Sequence, residues 1–345
     1  MRFNDAAPAL WGLVAAALFG ASTPLSKGLL AAVSPTCLAG LLYLGAATGV
    51  LPFVLRNRSV PALPSRASCL RLSGAVLCGG VAAPLLLLAG LSLAPAGSVA
   101  LWLTLEAPAT AVLARAFFKE HLHRRVWVAV ALVSVASMIL AAPNSFGAAR
   151  AAALVGLACV CWGLDNNLTA LIDGLTPAQI TFVKGAVAGS INLALALLLE
   201  SKLPAVSNAI AGVLVGTLSY GLSLVLYISA AQHLGAARAQ LLFATAPLWG
   251  VALAHALLSE PISGVQACAG ILMLVALALM ATERHAHEHA HDATIHTHRH
   301  RHDDGFHDHV HAELPARVWH THEHAHGSVT HAHAHRPDLH HRHGH

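Results

Sequence analysis

Charged side chains are scarce in this sequence: Asp, Glu, Lys and Arg make up 10% of its 345 residues, where soluble domains carry about 25%. With 56% hydrophobic residues and a mean hydropathy of +0.63, most of the chain needs lipid rather than water as its solvent. Catalytic framings are missing as well. There is no phosphate-binding glycine loop, no Ser-His-Asp arrangement and no H-E-x-x-H helix, so the sequence is not read as an enzyme. Disulfide scaffolding is also absent, because Cys37, Cys69, Cys78, Cys159, Cys161 and Cys268 lie in or beside apolar runs without regular spacing. Cys159 and Cys161 are two apart, and on a helix such residues point to nearly opposite sides, so they read as small apolar side chains. The few cations are clustered and the net charge is only +4, a pattern that serves membrane orientation and not nucleic-acid binding.

What is there is a succession of apolar runs. A spanning helix needs roughly 20 mostly apolar residues, and ten runs between Pro8 and Ala281 meet this, among them Leu72–Ala94 and Ala237–Ser259. Residues 1–22 resemble a signal peptide, but apolar character continues to Ala32 and nine further runs follow. The first run is therefore read as a transmembrane helix. With the N-terminus in the cytoplasm, the inward segments hold Arg2, Arg56, Arg58, Arg66, Arg71, Arg115, Lys119, Arg124, Arg125 and Arg238, and the outward ones only Lys27, Arg150 and Lys202. That bias predicts an inner-membrane protein with both termini in the cytoplasm.

The chain also repeats itself. Phe19-Gly20-Ala21-Ser22 in the first run matches Trp162-Gly163-Leu164-Asp165 in the sixth. Ala96 through Pro108 resembles Gly235 through Pro247, and Phe118-Lys119-Glu120 resembles Leu258-Ser259-Glu260. Each half then has five helices, and an odd number inverts the second half relative to the first. Inverted repeats with a site between them near the midplane are a recurring transporter architecture. The fold class expected is an all-α membrane protein of ten transmembrane helices, built from two inverted five-helix repeats (8–142 and 151–282) and followed by a disordered tail (284–345).

The Trp/Phe-Gly pairs, the run Tyr227-x-x-Ala230-Ala231-x-x-x-Gly235-Ala236-Ala237-Arg238-Ala239, and the later Ala246-Pro247 and Glu260-Pro261 resemble the EamA family of the drug/metabolite transporter superfamily. The resemblance spans residue 8 to about 282, essentially the whole apolar body, and is closer in the second half. It implies ten helices, cytoplasmic termini, and movement of small metabolites by alternating access. Glu106 departs from it, standing where members carry an apolar or small residue. The tail lies outside it.

An ionisable residue at the bilayer centre costs roughly 2.5–3.5 kcal/mol on insertion scales and usually faces a cavity or a partner. Glu106, Asp165 and Lys184 are the three such residues; Lys27 is near enough to a helix end to snorkel. Trp102 and Thr110 flank Glu106 at i−4 and i+4 and so share its face, while Pro108 should kink that helix and Pro247 repeats the kink. Asp165 lies beside Asn166, and its repeat partner is Ser22. Tyr220, Ser223 and Tyr227 form a stripe at i, i+3 and i+7. One reading makes Glu106, Asp165, Asn166, Lys184, Trp102, Ser22, Tyr220 and Tyr227 the lining of a substrate or coupling cavity. The other makes Lys184 a structural partner of a carboxylate, and Gly20, Ala21 and Ser22 a close-packing surface.

Of 26 histidines, 22 fall in the last 62 residues. The sets His285, His287, His289, His291; His307, His309, His311; His320, His322, His324, His326; and His331, His333, His335 are candidate metal ligands. Composition so polar cannot bury a core, yet neutral imidazoles chelate borderline cations such as Ni²⁺, Co²⁺ or Zn²⁺. No cofactor is required by the body. The function expected is secondary transport, as an exporter, of a small metabolite or amino acid. The same fold moving or resisting a divalent metal, and a membrane-anchored metal store or sensor, are the alternatives. The partners expected are the lipid bilayer and a small-molecule or cationic substrate; a homodimer is admitted and nucleic acid is not.

Overall fold

The computed structural model of the chain describes residues 6–56, 65–118, 124–141, 146–172, 174–200, 204–234, 242–281, 285–291, 294–300, 320–326 and 329–335. The helical body, Met1–Glu283, is one compact unit and Arg284–Arg336 another. Among the described residues the body consists of ten helices. The first five are α1 (Ala6–Leu29), α2 (Pro35–Arg56), α3 (Arg66–Ala75, a π-helical stretch Val76–Ala82, then Ala83–Leu93), α4 (Ala96–Trp102, a 3-10 turn Leu103–Leu105, then Glu106–Phe118) and α5 (Arg124–Ala141). The second five are α6 (Phe146–Ala170), α7 (Pro177–Leu199), α8 (Val206–Gly216, a π-helical stretch Thr217–Leu222, then Ser223–Leu234), α9 (Ala246–Leu258) and α10 (Gly264–Ala281). Seven of these are long and apolar enough to cross a membrane, and three shorter apolar helices accompany them. The chain is a multi-pass membrane protein.

Local sequence explains where the helices start. Ser34 accepts from the Cys37 amide at 3.2 Å ahead of Pro35 at the first helical position of α2. Ser65 caps α3 by accepting from the Ser68 amide at 3.1 Å, so that helix begins at Arg66, ahead of its apolar run. Thr176 and Gln179 form a reciprocal capping box at α7, and Ser263 and Gln266 exchange the same two bonds at α10. α4 has no cap of its own. Its first two amides, Ala96 and Gly97, donate to the two carboxylate oxygens of Glu260 at 2.8 and 2.9 Å. Ser259, left-handed at φ 55°, turns the chain there out of α9. At the same end Lys27 donates to the carbonyls of Leu91 and Ala94, at 2.6 and 3.0 Å. The α3–α4 turn is thus held by a cation on the closing helix end and an anion on the opening one, each complementing the local dipole. Lys27, half-buried, caps the end of α3.

The repeat extends to irregularities. The third helix of each half carries the π-helical stretch, and the fourth is irregular just ahead of its proline: the 3-10 turn precedes Pro108, and a turn at 244–245 precedes Pro247. A proline lacks the amide and crowds the carbonyl four residues back, so both helices loosen at the same place. The main core joins Leu38 and Leu42 of α2, Leu88 and Leu91 of α3, Trp102 of α4 and Val155 of α6. Large apolar side chains such as Leu198 (81% exposed), Leu55 (71%) and Phe117 (69%) point outward, a surface suited to lipid and not to water. Glycines let helices meet closely. A Cβ at Gly45 of α2 would overlap the Val213 carbonyl of α8, and one at Gly20 of α1 the Ala246 carbonyl of α9, which bears out Gly20 as a packing residue.

Among the described residues of the second unit, β1 (His285–His291) pairs antiparallel with β4 (Val329–His335), and β2 (Thr294–His300) with β3 (His320–His326). The alternation of His with Ala, Thr, Glu or Arg has the period of a strand, and each strand pairs along one edge only.

Gly45→Val is expected to lower the melting point of the detergent-solubilised protein, overpacking against backbone costing about 1–3 kcal/mol. Gly28→Ala, with no neighbouring atom within 4 Å of the added methyl, is expected to leave it unchanged.

Candidate functional site at the interface of the two repeats

The site starts from the π-helical stretch of α3. Pro84, just after that stretch, has no N–H to return to the carbonyls four and five residues earlier, so these turn to neighbouring helices, which must supply donors because lipid supplies none. The Gly79 carbonyl accepts from the Tyr43 hydroxyl of α2 and from Trp162 Nε1 of α6 at 3.0 Å. The Gly80 carbonyl accepts from Asn192 Nδ2 of α7 at 3.0 Å. Three helices are thereby pinned to one turn of a fourth. A Cβ at Gly79 would collide with Asp165 Oδ2, so the glycine is also what lets the Asp165 carboxylate sit against α3.

Asp165 of α6 is 3% exposed. Its two oxygens take the Lys184 ammonium of α7 at 2.6 and 2.5 Å, and Thr169 donates a further bond at 2.9 Å. This carboxylate is compensated. Glu106 is in another position. Pre-proline loosening places it directly after the 3-10 turn of α4, where Oε1 accepts from Asn166 Nδ2 of α6 at 2.9 Å. Asn166 Nδ2 also lies 3.3 Å from Thr110 Oγ1, and Thr110 donates back to the Glu106 carbonyl. Among the described residues no cation lies within ion-pair distance of Glu106. The charges of Asp165 and Lys184 both act on it electrostatically, so with both carboxylates ionised the cluster of two anions and one cation is short of one positive charge.

An aromatic chain borders this cluster and crosses between the halves. Tyr43 stacks on Tyr220 of α8 at 6.4 Å, and Tyr220 meets Phe19 of α1 edge-on at 5.8 Å. Phe19 then leads through Phe243 to Tyr227, at 5.2 and 5.0 Å. Ser22, 4% exposed, hydrogen-bonds Tyr220 through its side chain.

Of the residues expected to line a cavity, Glu106, Asp165, Asn166 and Lys184 come together; Ser22 and Tyr220 stand beside them, and Tyr227 sits at the far end of the aromatic chain. Trp102 does not join. It is 1% exposed in the core, and its Nε1 donates to the Ser137 carbonyl of α5 at 3.4 Å. Its i−4 relation to Glu106 spans the 3-10 turn, where each residue rotates roughly 120° instead of 100°, so the two leave the common face an unbroken α-helix would give. Ser223, in the same expected stripe as Tyr220, is buried and donates to the Ser219 carbonyl. Tyr43 and Asn192 escaped the sequence reading. Each is a lone polar side chain in a Gly/Ala/Leu run, a signal that was present, but their acceptors are the carbonyls left without a donor ahead of Pro84. The tail ligands His307, His309 and His311 lie outside the described residues.

Ten apolar helices in two pseudo-equivalent sets of five, with charged groups at their interface, define the class of a membrane transporter fold. The sequence profile of the EamA-like transporter family matches residues 7–142 and 149–282, one match for each set, and the chain belongs to that family. It is 27% identical over 297 residues to an uncharacterized transporter of Methanothermobacter thermautotrophicus, covering 79% of this chain and 86% of that one. A solved crystal structure superposes with a TM-score of 0.57 at 19% identity, over 80% of this chain and 97% of its own, a likeness of fold.

Replacing Lys184 by Met is expected to destabilise the solubilised protein by about 3–5 kcal/mol, since a buried carboxylate loses its partner. The pair Asp165→Asn with Lys184→Met is expected to recover most of that in a thermal or denaturant melt. Equal losses for single and double variants would contradict the pairing.

Proposed function

We propose that this chain is a secondary transporter, an exporter of a small metabolite or amino acid, that works by alternating access between its two inverted repeats. Glu106 is the group that meets the cationic part of the cargo or carries the coupling proton. The observation behind this reading is the unequal treatment of the two carboxylates. Asp165 is neutralised within its own repeat by Lys184, whereas Glu106 reaches across the repeat interface to Asn166 and has an amide but, among the described residues, no cation. A mid-span carboxylate left in that state is costly unless a charge arrives from outside the fold. Rocking one repeat against the other would change its surroundings, because its amide partner belongs to the opposite half.

We further propose a plasma (inner) membrane location with both termini in the cytoplasm. Arg56, Arg66, Arg71, Arg115 and Arg124 fall at the helix ends nearest the α2–α3 and α4–α5 connections, while Lys27 and Arg150 fall at the opposite ends. That asymmetry follows the positive-inside rule. Glu260, which ties the α9–α10 turn to the start of α4, then lies on the outer side and must let go for that side to open.

A strain lacking the gene, grown against toxic amino-acid analogues and divalent metals, identifies the cargo class. Against that cargo, Glu106→Gln removes a charged interaction worth about 1.5–3 kcal/mol, which corresponds to a fall in initial flux of roughly ten- to a hundredfold, with the melting point kept. Unchanged flux would return Glu106 to a structural role. Removal of residues 284–345 leaves metabolite flux intact on this reading, and abolishes resistance if metal is the cargo.

A further inference from the structure

The second unit carries chemistry that transport through the body does not use. Fourteen histidines of the tail stand in its four strands, and the register sorts them. Alternate residues of a strand share a face, and residues directly opposite in an antiparallel ladder share it too. His285, His287 and His289 are opposite His335, His333 and His331, so with His291 one face of that ladder holds seven histidines. Its other face holds Ala286, Glu288, Ala290, Thr330, Ala332 and Ala334. In the second ladder His296, His298 and His300 are opposite His324, His322 and His320, and His326 completes seven on one face. A random scatter of histidines would place imidazoles on both faces, and opposite Ala or Thr as often as opposite one another. Here each ladder instead has three His–His pairs in a row.

We propose that Arg284–Arg336 is a metal-binding module whose working units are cross-strand histidine pairs, with His287/His333 and His298/His322 central to the two ladders, each pair offering two imidazoles to one borderline divalent cation. Directly opposite Cβ atoms are about 4.5–5.5 Å apart, a separation two imidazoles can span to reach one ion at metal–nitrogen distances of about 2.0–2.1 Å. Neutral imidazole suits nickel, zinc, cobalt and copper. The ion in turn fixes the register. A slip of one residue moves every histidine of a strand to the other face, so bound metal favours this pairing over its neighbours and the module folds on its ligand. The inference is independent of what the body transports.

The test uses the full chain in detergent micelles, titrated with Ni²⁺ alone by calorimetry at a pH where imidazole is neutral. His287→Ala or His333→Ala is expected to lose one bound ion, and the double variant of these two partners no more than one. His287→Ala combined with His322→Ala, which are not partners, is expected to lose two. Exchanging neighbours, as Ala286→His with His287→Ala, keeps every imidazole and is expected to lose one ion. Losses that track the number of histidines removed wherever they stand, or a neighbour exchange without effect, would overturn the pairing and leave chelation by composition alone.

Discussion

A backbone carbonyl released inside an apolar medium has to find a donor in the protein, and the interface of this molecule is arranged around two of them. Pro84 follows the π-helical stretch of α3 and has no proton for the carbonyls of Gly79 and Gly80, and Tyr43, Trp162 and Asn192 supply donors to them from α2, α6 and α7. Water could do this for a soluble protein; lipid does not. The consequence is positional. Trp162 is held one helical turn from Asp165 and Asn166, so the bonds that repair the backbone also set where α6 presents its polar side chains. The glycine that creates the acceptor leaves the space that the Asp165 carboxylate fills.

The two halves agree in backbone and disagree in chemistry. Both third helices carry a π-helical stretch and both fourth helices loosen ahead of a proline, as expected where one architecture is used twice in opposite senses. The charged groups are not duplicated. Thr245 stands at the repeat position of Glu106, and Ser22 at that of Asp165. On the proposed function, a shared backbone lets the halves exchange roles as the molecule rocks, while the one carboxylate that no described cation compensates gives the cargo one address. Compensation of Asp165 by Lys184 sharpens this proposal, because it leaves Glu106 as the carboxylate of the pair without a cation among the described residues.

Much of this was legible in the sequence, for a physical reason. Lipid demands long apolar helices with closed ladders, so spans and repeats are written in composition, and the cost of intramembrane charge picks out Glu106, Asp165 and Lys184 without a structure. What depended on departures from ideal helix geometry was not legible. Trp102 was misplaced because a 3-10 turn intervenes before Glu106, and Tyr43 and Asn192 were missed because Pro84, which deprives their acceptors of a helical donor, does not say which neighbouring helix supplies the substitute. Lys27 and Glu260 needed tertiary contact to become caps for helix ends 64 or more residues away in sequence. In the tail the polar composition argued against a packed core, and its alternation carries the period of a strand, but the register of the ladders is not written in either.

The central claim of the proposed function is that Glu106, and not Asp165, is the carboxylate that takes up a proton when no cationic cargo compensates it. Infrared difference spectroscopy on the reconstituted full chain, stepped in pH, reads the carbonyl stretch of a protonated carboxyl directly. The account predicts a titrating carboxyl band that disappears in Glu106→Gln and persists in Asp165→Asn. A band that survives Glu106→Gln and vanishes in Asp165→Asn would contradict it.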